Sequence, residues 1–193
     1  MFYYSNMRRP FKVVIFLLSM LTIMHFYKFK KYNSKYEIQQ QELDYIDGNE
    51  LYDQLNPLII TFIEDTSLMN NINKYQLYSA MSFNKKNFMY NTNKNYLSHS
   101  NEFILIRTKK QVVVELINPK YRSRFVKNNK QDKSIFYQFN LNENNYKNVK
   151  SIDIVMREYN ILVIPRQWLF KIDNSTVEVY TADNIFSYLF GIF

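Results

Sequence analysis

Residues 151–170 read SIDIVMREYNILVIPRQWLF, and the fold follows from this run. Ile152, Ile154 and Met156 alternate with Ser151, Asp153 and Arg157, with Val155 as the one interruption, so Ser151–Arg157 is expected as a strand with one buried face. Glu158-Tyr159-Asn160 reads as a turn. The following Ile161–Ile164 is apolar throughout and mostly β-branched, which predicts a second strand covered on both faces. Pro165 ends it, because proline cannot donate to a sheet ladder. Trp168 then supplies a large ring to pack over the end of the sheet.

Further strands are expected on either side. Phe103–Ile106 and Val112–Ile117 are joined by a polar hairpin, Arg107–Gln111, and Leu58–Ile63, Ile135–Leu141 and Val177–Tyr180 have strand composition. Short helices are expected at Glu37–Leu43, at Tyr75–Met81 behind Asn73, and at Ala182–Phe190. Residues 82–100, rich in Asn and Lys with interspersed aromatics, read as loops and edge strands. The basic stretch from Lys120 to Ser134 reads as a solvated loop.

The N-terminus has a different character. Val13–Tyr27 carries no charge and lies between Lys12 and Lys28. At about 1.5 Å per residue it covers roughly 23 Å, short of the roughly 30 Å hydrocarbon core. Snorkelling lysines and the aromatic residues Phe26, Tyr27 and Phe29 extend its reach into the interface. No pair of small residues follows to suggest signal cleavage, so an uncleaved anchor is expected. His25 within it reads as an imidazole tolerated near the interface. The resulting division is a tail at 1–12, a transmembrane anchor at 13–27, a polar stalk at 28–54 and a β domain at 55–193.

Composition narrows the function. Of the net charge of +8, residues 1–37 contribute seven basic groups against Glu37, or +6, leaving +2 for the rest. The basicity belongs to the flanks of the apolar segment, so no nucleic-acid partner is expected. The absence of cysteine excludes disulfides and thiolate chemistry, and two glycines cannot build a phosphate-binding loop. Abundant Asn, Lys, Tyr, Phe and Ile, with scarce Gly and Pro, point to an AT-rich genome.

The central run resembles the second half of the cupin-like JmjC hydroxylase domain, in which a strand, a tight turn and a strand end in Ile-Pro-x-x-Trp-x-His. Ile164, Pro165 and Trp168 follow that pattern, and Phe170 stands where the histidine belongs. The Phe103–Pro119 hairpin resembles the strand pair that follows the family's first metal motif, with a longer turn that lacks its glycine. The resemblance implies a cupin-like double-stranded β-helix of jelly-roll type. It also implies an iron site of two histidines and one carboxylate.

That site is degenerate here. The His-x-acid motif falls on Asn95 and Leu97 in one register, on Leu97 and His99 in a second, and on His99 and Asn101 in a third. With His25 in the apolar segment, the domain holds His99 alone, which is expected as a surface-loop imidazole. No catalytic residue, cofactor or metal is expected. The expectation is a single-pass membrane protein with an inactive cupin-like domain and a binding or structural role. Its partners would be the bilayer and other membrane or virion proteins, because anchored proteins of this type resemble ones encoded by large DNA viruses. The alternatives are an iron and 2-oxoglutarate oxygenase with non-standard ligands, and a basic nucleic-acid-binding accessory protein. Asn174-Ser175-Thr176 is a glycosylation sequon, usable if the domain faces a lumen or the exterior.

Overall fold

The computed structural model describes residues 8–30, 35, 37–42, 55–61, 82–86, 96–99, 101–128, 136–141, 148–172 and 177–183. The chain divides into two compact units, Met1–Lys31 and Tyr32–Phe193.

The first unit contains one helix, α1 (Arg8–Lys30), longer at both ends than the expected anchor. Its side chains from Phe11 to Met24, and those of Phe26 and Tyr27, are exposed on every face. The hydroxyls of Ser19 and Thr22 bond back to the carbonyls of Ile15 and Leu18 at 2.9 and 2.8 Å, so neither is left to find a partner off the helix. Among the described residues, no helix is long and apolar enough to cross a membrane. The uncharged core of α1 falls short of the roughly 20 apolar residues a full span needs. Nothing is described of the His25 side chain.

The second unit is mainly β and consists of two facing sheets. Its strands are β1 (Gln39–Glu42), β2 (Leu58–Thr61), β3 (Ser82–Lys86), β4 (Tyr96–His99), β5 (Phe103–Thr108) and β6 (Val112–Ile117). They continue with β7 (Phe125–Asn128), β8 (Phe136–Leu141), β9 (Ser151–Met156), β10 (Asn160–Pro165), β11 (Leu169–Ile172) and β12 (Val177–Asp183). One sheet runs β1-β2-β10-β5-β12-β3 and the other β7-β8-β4-β11-β6-β9. All pairs are antiparallel except β1 with β2. Four pairs connect ever more distant strands: β6 with β9, β5 with β10, β4 with β11, β3 with β12.

The central run behaves as its pattern predicts. β9 is an edge strand with Ile154 and Met156 buried and Asp153 and Val155 exposed, while β10 is buried from Ile161 to Pro165. Between them Tyr159 takes φ 68°, and Asn160 N–H donates to the Arg157 carbonyl at 3.2 Å. The core between the sheets is filled by Ile104, Ile106, Val114, Leu116, Leu162, Ile164, Trp168 and Phe170, among others.

Four expectations need correction. Residues 39–42, expected as part of a helix in a stalk, form β1, because Gln39–Glu42 pairs in register with Leu58–Thr61 and Gln39 N–H donates to the Pro57 carbonyl at 3.1 Å. Pairing to an existing sheet outweighs a weak helical propensity. Ala182 and Asp183, expected to open a helix, continue β12 opposite Phe103 and β3. The solvated loop after Pro119 is a 3-10 helix, Pro119–Arg124, followed by β7. His99, expected on the surface, is 3 % exposed at the end of β4, a strand paired on both sides. The helix expected at Tyr75–Met81 lies outside the described residues.

Candidate functional site

The turn after β4 and the turn between β10 and β11 lie at the same end of the two sheets, and the residues of the resemblance gather there. Leu97 of β4 and Phe170 of β11 are register partners on adjacent strands. Phe170 is fully buried, and Leu97 packs against the same core cluster. Leu97 and Phe170 are therefore paired hydrocarbon side chains of one core cluster. Asn95 and Asn174 lie outside the described residues.

His99 adjoins this pair, its ring centroid 6.5 Å from that of Phe170 in an edge-on arrangement. Its Nε2–H donates to the Ile164 carbonyl at 3.1 Å, since a carbonyl can only accept. Nδ1 makes no hydrogen bond among the described residues. Burial lowers the pKa to about 3; backbone hydrogen bonding at Ile164, Pro165 and Asn101 opposes the shift, and the Arg122 charge adds to it. The ring is a neutral core member whose Nδ1 lone pair is unused among the described residues.

The carboxylates at this end are already engaged. Asn101 Nδ2 donates to both oxygens of Asp183, at 2.8 and 2.7 Å. Glu102 receives Arg166 Nη1 at 2.8 Å, with both side chains buried. Backbone bonds brace the same junction: Glu102 N–H to the Ala182 carbonyl at 3.0 Å, and Arg166 N–H to the Glu102 carbonyl at 3.2 Å. Trp168 closes the interior, and its Nε1–H donates to the Leu55 carbonyl at 3.0 Å. Ile164, Pro165 and Trp168 thus hold the junction as its apolar frame.

Sequence reasoning singled out Leu97, His99, Asn101 and Phe170, which the fold brings to one region. It missed Glu102, Arg166 and Asp183. The sole hint for Arg166 was its place inside the Ile-Pro-x-x-Trp pattern; Glu102 and Asp183 stand apart in sequence and meet their partners only through tertiary structure. Among the described residues, no group of three or more His, Asp or Glu side chains is arranged to hold a metal ion.

A second feature lies across β6, β9 and β11. Asp153, Glu115 and Lys171 are register partners in one row and line a shallow depression of about 230 Å³ with Val113. Glu115 also accepts from the Tyr96 hydroxyl at 2.8 Å. No family model matches the chain, and no curated protein matches it.

Proposed function

We propose that this chain is a membrane-anchored protein whose β domain is a cupin-like jelly roll without catalytic machinery, serving a binding or structural role. The observation that carries this reading is the pairing of Leu97 with Phe170, hydrocarbon side chains at positions onto which the resemblance, in two of its three registers, maps metal ligands. The jelly-roll assignment is supported by the nested pairs β6–β9, β5–β10, β4–β11 and β3–β12, the order of one long hairpin rolled onto itself. On that reading β1, β2, β7 and β8 are additions to the ends of the two sheets.

The anchor is supported by apolar side chains on all faces of α1, its self-satisfied hydroxyls and its basic flanks. A helix with so short an uncharged core sits in a bilayer by local thinning, with its charged ends at the interfaces. The composition favours an AT-rich genome, and the reading extends to a large DNA virus as its source, with a virion or host membrane as its location.

The test is fractionation of the full chain expressed in cells. It is expected to remain with membranes through alkaline carbonate washing; release into the supernatant would refute the anchor. Metal analysis of the same material separates this reading from the oxygenase alternative.

A further inference from the structure

β9 ends its sheet on one side: among the described residues it pairs with β6 and with no other strand. Proteins blunt such an edge with lysine, proline, a bulge or a covering segment, because its outward N–H and C=O groups accept another strand. β9 has no lysine and no proline. Its register with β6 runs unbroken from Ser151 opposite Ile117 to Met156 opposite Val112, so it has no bulge either. Its outer face is uncovered, with Ser151, Asp153 and Val155 exposed, as is Arg157 immediately after the strand.

Two rows of side chains on this outer face stop short at β9. In one, Val113 and Val155 are register partners, 42 % and 50 % exposed, an apolar pair on the surface. In the other, Lys171 stands opposite Glu115 and Glu115 opposite Asp153, so the row ends with an acid facing an acid. Like charges directly across a ladder are unfavourable, and a cation on the far side of Asp153 offsets them.

A second copy of β9 completes both rows. Opposite residues in an antiparallel pair share a face, so a two-fold axis between two β9 strands passes through a residue and not between two. An axis at Asp153 sets acid against acid, and one at Ile154 or Met156 sets a charge against Val155. An axis at Val155 sets Val155 against its own copy and Asp153 against Arg157 of the second copy, twice by symmetry. The apolar row then continues from Val113 and Val155 into the same two valines of the second copy. The charged row becomes Lys171, Glu115, Asp153 and Arg157 of the second copy, and on the buried face Ile154 meets Met156.

We propose that β9 is a dimerisation edge, through which two copies of this chain pair antiparallel about Val155 and join their sheets into one. The pairing rests neither on the anchoring of α1 nor on the cupin-like resemblance, and it makes the chain itself a partner of its β domain. About five residues a side is a small contact, so the dimer is expected to be reversible and is best caught by trapping.

The absence of cysteine makes the test direct. Opposite Cα atoms of an antiparallel pair lie about 4.5–5.5 Å apart, within the span of a disulfide. The full chain carrying Val155→Cys is held in mild detergent with oxidised glutathione, and the linked dimer is followed on non-reducing gels. It is expected to form severalfold faster than with Val126→Cys, whose exposed side chain lies on β7 at the other edge of the same sheet. Adding Asp153→Arg to Val155→Cys should slow trapping severalfold, and adding Asp153→Arg with Arg157→Asp should restore it. Equal trapping of Val155→Cys and Val126→Cys, as association through α1 or chance collision gives, overturns the dimerisation edge. Trapping of Val155→Cys that ignores the charge reversal overturns the pairing about Val155. The comparison of the two cysteine variants stands even if the charge variants fail to fold.

Discussion

Arg166 is joined to Glu102 twice, by Nη1 to the carboxylate at 2.8 Å and by its N–H to the Glu102 carbonyl at 3.2 Å. The two residues belong to different turns, and their side chains are 4 % and 2 % exposed. Burying both charges costs most of what their attraction returns, but stranding one leaves a buried charge without its counterion. Glu102→Ala or Arg166→Ala is therefore expected to cost about 3–5 kcal/mol. The double variant Glu102→Leu/Arg166→Met should recover most of that loss. Urea unfolding of Glu102→Leu, Arg166→Met and the double variant gives the coupling; additive losses would show that the ion pair contributes nothing.

His99 predicts an acid limb of stability. Its pKa is 6.5 when free and about 3 in the fold, so only the unfolded chain takes up a proton between those values. The contribution is fully present above 6.5 and drains away as pH falls toward 3, with a slope approaching about 1.4 kcal/mol per pH unit. His99→Leu is less stable at neutral pH through the lost bond to Ile164, yet its stability should fall less steeply across that window. Parallel profiles for the two proteins would remove His99 as the cause.

The paired positions Leu97 and Phe170 predict the outcome of introducing a histidine. Phe170→His puts a polar ring into the dry interior and is expected to cost about 1–3 kcal/mol. It should gain no metal, since Leu97 still faces it and Glu102 and Asp183 remain engaged. Elemental analysis checks this. About one metal per chain in the unaltered protein, lost on chelation together with thermal stability, would return the oxygenase reading to first place.

Two turns hold left-handed residues that are not glycine: Tyr159 at φ 68° and Gln167 at φ 71°. Such a conformation costs roughly 1–2 kcal/mol for a residue with a Cβ and nothing for glycine. Gln167→Gly is expected to be neutral or stabilising by up to about 1 kcal/mol, because relief of strain offsets lost chain entropy. Gln167→Val should destabilise by at least as much, β-branching being worst tolerated there. Thermal unfolding of the pair decides it, and a more stable valine variant would contradict the argument.

The central hairpin was legible in the sequence because its information is local. Alternation from Ser151 to Met156 and the unbroken apolar run of β10 each state their burial within six residues. β1 was not legible, because Gln39-Gln40-Gln41-Glu42 has no apolar pattern and becomes a strand only through the backbone of Leu58–Thr61. The junction was half legible. A sequence motif marks Pro165 and Trp168, whereas Asn101 meets Asp183 across 82 residues, a separation no short pattern spans. His99 misled because a lone imidazole in an Asn-rich stretch looks exposed until its strand acquires neighbours on both sides.

The nesting of the strand pairs dictates an order of events during synthesis. β10 and β12 flank β5, and β11 separates β4 from β6. Before these last strands leave the ribosome, neither sheet has a continuous ladder: β5 lacks both its partners and β6 has β9 alone. Pairing of β3 with β12 and of β2 with β10 closes the longest loops, the kind of contact that slows folding. The domain therefore completes itself only once β12 has emerged. A chain cut before β10 would keep pairs such as β6–β9 and β7–β8 but lose the strands that build both sheets around β5 and β11, and would not be a smaller domain.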